Sequence, residues 1–172
     1  FSGFLILHRK DYYRFFSHGF IHIGWDHLIF NMLTLFYFGE NVELYYRKVW
    51  GFKGLIYFVF LYLSSLVIST TYSFFKQIKT PNISSVGASG AVSAVLFSFI
   101  LFQPTQSIYL FLFPIGIPAY IFGLIYISIS LYLAKRNKDT IGHDVHIIGA
   151  IYGFIFPIII SPELFKIFIS KL

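Results

Sequence analysis

The sequence predicts an all-α bundle of membrane-spanning helices in one domain covering residues 1–172, and three observations carry that reading. Hydrophobic residues make up 57% of the chain and charged residues only 12%, against about 25% charged in an ordinary soluble domain. Segments 54–75, 80–134 and 147–162 contain no Asp, Glu, Lys or Arg. A bilayer core takes about 20 apolar residues per helix, so the chain has room for about five spans and almost nothing else.

The same composition excludes several functions. The net charge of +6 comes from Lys and Arg scattered over short loops and tails, where they anchor spans, so no nucleic-acid partner is expected. With no cysteine there is no disulfide and no thiolate metal site. No H-E-x-x-H occurs, which removes the common metalloprotease signature, and neither a metal nor another cofactor is expected. The chain opens at Phe1 without an initiator Met or a signal-peptide pattern, so an N-terminal truncation is expected.

In chain order, residues 1–20 mix aromatics with Arg9, Lys10 and Arg14 and read as an interfacial loop. A helix is expected to start at Asp26, a good N-cap residue, and to end at Gly39 after Phe38. Residues 40–53 read as a charged, aromatic connection, and a second span covers 54–75. After a polar loop from Lys76 to Ser85, a third helix runs from Gly87 to Phe102. It is short for a full crossing, as suits a helix that starts inside the membrane beneath a loop lining a cavity. Residues 105–117, broken by Pro114 and Gly116, read as an interfacial or re-entrant connection. A fourth span runs from Pro118 to Leu133, a loop follows at 135–139, and the last span covers 144–161.

The candidate chemistry centres on Val86-Gly87-Ala88-Ser89-Gly90-Ala91, small residues at the mouth of an apolar helix. Ser89 there is either one more small residue in a packing seam or a nucleophile within reach of a base on the next helix. His146 lies inside the last span, where an ionisable group is by default a functional hypothesis. Its other reading is a structural histidine bonded across a helix pair. Gly149 and Gly153 form a G-x-x-x-G face one turn further on and call for a small-residue partner, which the Ser89 stretch offers. His27 and Asn31, four apart on one helical face, either supply N–H donors for an oxyanion or make ordinary interhelical bonds. His22 can fold back toward that face.

Taken together, His22-x4-His27-x3-Asn31-Met32, Gly87-x-Ser89-Gly90 and His146-x2-Gly149-x3-Gly153, in this order, resemble the rhomboid family of intramembrane serine proteases. Tyr13-Arg14-Phe15-Phe16 and Phe20-Ile21-His22 resemble that family's first loop. The resemblance covers residues 12–156. It implies a rhomboid-like six-helix core, of which five spans are present and the first helix is missing. It also implies Ser89 as nucleophile and His146 as general base, a dyad without a carboxylate. His27, Asn31 and the Ser89 backbone N–H would bind the oxyanion, with His22 in support. Gly87 would belong to the nucleophile loop, Gly90, Gly149 and Gly153 to close packing, and Arg14 to the hold on the first loop. Tyr13 stands where the family often has Trp, and Val145 where it usually has Ala. Asp144, two residues before His146, points from another helical face and makes a poor third member.

The expected activity is hydrolysis of a peptide bond in transmembrane protein substrates, by a multi-pass protein of a bacterial inner membrane in contact with lipid. Two alternatives stand beside it. One is a catalytically inactive relative acting as membrane chaperone or adaptor. The other is a small transporter, suggested by the broken segment 105–117 but opposed by the lack of internal repeats. The family orientation places five Lys/Arg on inner and eight on outer segments, against the positive-inside rule. The sequence is silent on oligomeric state.

Overall fold

The computed structural model describes residues 1–110, 113–136 and 142–172. The chain opens with α1 (Gly3–Arg9) and α2 (Arg14–Ser17), followed by a 3-10 turn at His18–Phe20. Five long helical units follow: α3 (Trp25–Trp50), α4 (Phe52–Ile68) with its continuation α5 (Thr71–Gln77), α6 (Ser89–Phe102), α7 (Ala119–Arg136) and α8 (His143–Ile160). Two strands, β1 (Ser107–Leu110) and β2 (Phe113–Pro118), lie between α6 and α7, and α9 (Glu163–Ser170) closes the chain. By length and composition Phe52–Gln77 and His143–Ile160 can each cross a membrane, and α6 is a shorter apolar helix.

Several expected boundaries change. The first long helix begins after Gly24 as N-cap, with Asp26 inside its first turn rather than capping it. It does not end at Gly39 but continues to Trp50, so the expected connection at 40–53 is mostly helix. Gly39 lies inside the helix, where a Cβ would meet Leu35 and Phe58. The charges beyond it are compatible with a helix because Arg47 Nε donates to Glu43 Oε1 at 2.8 Å, an i,i+4 pair. The helix stops at Gly51, whose φ of +59° is natural only for glycine. Directly after that turn Gly54 passes so close to the backbone of Tyr46 and Arg47 that no side chain fits there. Between α6 and α7 the strands β1 and β2 pair antiparallel, Ser107 with Pro118 and Ile108 with Ile117. The loop expected at 135–139 lies outside the described residues from 137 onward.

α6 is the axis of the molecule. Every residue from Gly90 to Phe102 is buried, and the helix packs most extensively on α8, then on α3 and α4. Helix association in lipid depends on close packing and interhelical hydrogen bonds rather than on hydrophobic burial, and both occur here. Tyr46 of α3, fully buried, hydrogen-bonds Ser98 of α6 at 2.9 Å. Ser64 of α4 bonds the Tyr152 hydroxyl of α8 at 2.8 Å. Trp50 Nε1 donates to Ser161 Oγ at 2.9 Å, and Lys171 Nζ donates to the Phe102 carbonyl at 2.6 Å, at the negative end of α6. Ser89 thus starts a helix held on several sides.

Candidate active site

The site forms where α6 and α8 begin. A Cβ on Gly149 would run into the backbone carbonyl of Gly90, and one on Gly153 into that of Ala94. The two helices therefore meet backbone to backbone along the seam that the small residues predict. Gly149 against Gly90 puts the residue beside Ser89 level with α8 one turn after His146. Gly90 itself has no room for a side chain, because Val145 Cγ1 and Ser69 fill the space. Ser89 is partly buried and occupies the first position of α6, where backbone N–H groups lack intrahelical partners.

The groups around the pair are ordered. Ser93, one turn after Ser89, donates to the Ser89 carbonyl at 2.7 Å and also bonds the Tyr126 hydroxyl of α7 at 2.6 Å. The Tyr126 ring lies 6.2 Å from the His146 imidazole, centroid to centroid, and His143 flanks His146 edge-on at 5.9 Å. Among the described residues the Ser89 hydroxyl makes no hydrogen bond to His146. Catalytic hydrogen bonds are often long without substrate.

The third helix delivers its side chains to the same place. Gly87, with φ +115°, carries the chain into α6 in a conformation that L side chains rarely adopt, and a Cβ there would strike the His27 imidazole. His27 is therefore in contact with the loop that leads into Ser89. His22 stands edge-on to His27 at 5.1 Å, and its Nε2 is buried with no hydrogen-bond partner among the described residues. Asn31 is buried, and its Nδ2 donates to the His27 carbonyl of its own helix at 2.8 Å. The amide carries a second N–H besides the one used in that bond. Arg14 lies farther out, where its Nε donates to Asp11 at 2.9 Å and its guanidinium sits over the Tyr13 ring.

Sequence reasoning passed over several residues that hold this arrangement. His18 is 3% exposed, with Nδ1 at 3.1 Å from the Gly87 carbonyl and Nε2 at 3.2 Å from the Leu66 carbonyl. Its own carbonyl accepts from the Gly87 N–H at 2.9 Å. Burial pushes this imidazole below its ordinary value, against the opposing pull of those carbonyls. The signal was available in the spacing His18-x3-His22-x4-His27, within a loop otherwise read for its aromatics. Ser69 Oγ, fully buried beside Gly90, has no hydrogen-bond partner among the described residues. Asp144 accepts from Ser73 Oγ at 2.8 Å, which turns it toward α5. No group of acidic, histidine or cysteine side chains suited to a metal ion occurs among the described residues.

A family model described as a Rhomboid domain matches residues 9–163. The chain is 26% identical over 144 residues to "RHOMBOID-like protein 12, mitochondrial" of Arabidopsis thaliana, an alignment covering 76% of this chain and 41% of that protein. The chain thus spans less than half the length of this curated relative.

Proposed function

The chain belongs to the rhomboid family of membrane proteins, and on that premise we propose that it is an intramembrane serine endopeptidase working through a Ser89–His146 dyad. The observation that carries this reading is the backbone contact of Gly149 with Gly90, which brings the start of α6 and the first turn of α8 to one level. His146 takes the Ser89 proton as the hydroxyl oxygen attacks the scissile carbonyl, then passes that proton to the leaving amine. A water molecule, activated by the same imidazole, hydrolyses the acyl-enzyme. The oxyanion is received by the free N–H at Ser89 together with His27 and Asn31, His22 buttressing His27. Asp144 is engaged by Ser73, and among the described residues no carboxylate is hydrogen-bonded to the His146 imidazole.

The substrates proposed are transmembrane protein segments that unwind locally near the outer membrane face. A bacterial inner membrane is the proposed location, whereas the plant relative is by its printed name mitochondrial. A catalytically silent chaperone or adaptor is the second reading, favoured by the missing Ser89–His146 hydrogen bond. The test is cleavage of single-span reporter segments by the protein reconstituted in liposomes. Cleavage by the parent and none by Ser89→Ala or His146→Ala supports the protease. Equal processing by Ser89→Ala refutes it.

A further inference from the structure

α5 is only a turn or two long, yet its polar side chains reach the segments that lead to Ser89 and to His146. Ser73 and Gln77, four apart on one helical face, are 4% and 5% exposed. Ser73 Oγ donates to Asp144 Oδ2 at 2.8 Å, and Asp144 is the second residue of α8, two before His146. Gln77 Nε2 donates to Ser85 Oγ at 2.9 Å, and its Oε1 accepts from the Gly3 N–H at 3.2 Å. Ser85 lies on the strand of loop that leads through Gly87 to Ser89. One short helix therefore grips the approach to the nucleophile and the approach to the base.

We propose that the Ser73–Asp144 hydrogen bond is a latch that sets the rotation of the first turn of α8, making Asp144 a positioning residue for His146. The proposal rests on the dyad reading above. Residues two apart on an α-helix differ by roughly 200° in direction. Holding Asp144 against α5 therefore turns His146 to the opposite side, toward α6 and Tyr126, where its ring is found. The glycine seam begins only at Gly149. Ahead of it, Val145 against Gly90, His143 edge-on to His146 and Asp144 on Ser73 all bear on the turn carrying the base, and of these the Asp144 bond comes from α5. An acidic residue at a helix start is commonplace because it suits the helix dipole. A buried hydroxyl donated to it from a different helix adds a directional constraint that the dipole does not supply.

The experiment is the kinetics of covalent labelling by a fluorophosphonate, separated into reversible binding and the rate of the covalent step, with thermal unfolding recorded for each variant. Ser73→Ala and Asp144→Ala should each slow the covalent step about tenfold, the size of one buried hydrogen bond, and leave reversible binding unchanged. The double variant should be no slower than either single one. Ser73→Thr, which keeps the hydroxyl, and Asp144→Asn, which keeps an acceptor, should recover most of the rate. Parental rates in both alanine variants, effects that multiply in the double variant, or a loss confined to reversible binding would overturn the latch. A folded parent that takes no label sinks the protease reading instead. The latch is then decided by unfolding alone, where coupled losses in the Ser73/Asp144 cycle uphold it and additive losses refute it.

Discussion

The two flanks of α6 are held by different forces. Toward α8 the two backbones meet, with Gly149 on Gly90 and Gly153 on Ala94, and Val145 packs on Gly90 one turn earlier. Toward α3 and the N-terminal loops side chains carry the contact: Phe38 meets Phe99 edge-on, Tyr46 bonds Ser98, and ahead of the helix His18 and Gln77 hold Gly87 and Ser85 by hydrogen bonds. A backbone seam tolerates no added atom but needs no partner atom. A hydrogen-bonded flank tolerates small changes of shape but fails when a donor or acceptor is left alone. Ser89 sits between them, its height set by the seam and its loop conformation by the clamps.

The contrast is broken most severely by filling the seam. Gly149→Val or Gly153→Val drives a side chain into a backbone carbonyl that cannot yield. The folded state should be lost, seen as disappearance of a cooperative thermal transition in detergent, and a normal transition would contradict the packing. On the polar flank Asn31→Ala should leave the fold intact and slow reporter cleavage by about 10²–10³. Unchanged turnover would remove Asn31 from the oxyanion role.

Removing the loop clamp is the next step down. His18→Ala leaves the Gly87 and Leu66 carbonyls without the imidazole and should cost about 1–3 kcal/mol in unfolding free energy. Desolvation lowers the affinity of His18 for a proton in the folded state, so the unfolded chain binds the proton more tightly. Stability from this residue is therefore complete above the ordinary histidine value of about 6.5 and falls as the pH drops below it. Thermal unfolding at pH 7.5 and 5.5 measures this, and His18→Gln should show a weaker pH dependence than the parent. The smallest change is Tyr126→Phe, which removes one hydroxyl from Ser93 while keeping the ring beside His146. It should cost about 0.5–1.5 kcal/mol, and a larger loss of labelling than of stability would mark the hydroxyl as more than a tie.

What could be read in the sequence follows the same division. The seam was legible because its glycine spacing is local and helical, and because Ser89 and His146 stand out in apolar surroundings. Asn31, His27 and His22 were legible as a face, but the sequence did not reveal that the Asn31 amide is bonded to its own helix. The end of α3 is not legible at Gly39, because glycine disfavours a helix by propensity yet is carried inside one here. The pairing of β1 with β2 is not legible, since Pro114 and Gly116 mask strand alternation. His18, Ser73 and Gln77 are not legible because partners of each lie far along the chain, with separations of 69, 71 and 74 residues to Gly87, Asp144 and Gly3.

The most direct test of the dyad is fluorophosphonate labelling of the reconstituted protein beside Ser89→Ala and His146→Ala. Labelling of the parent alone is the predicted result, with Ser89 activated by the imidazole that the seam brings level with it. Labelling that persists in Ser89→Ala, or is absent from a parent shown to be folded, would contradict the account and return Ser89 to the role of a small residue in a packed seam.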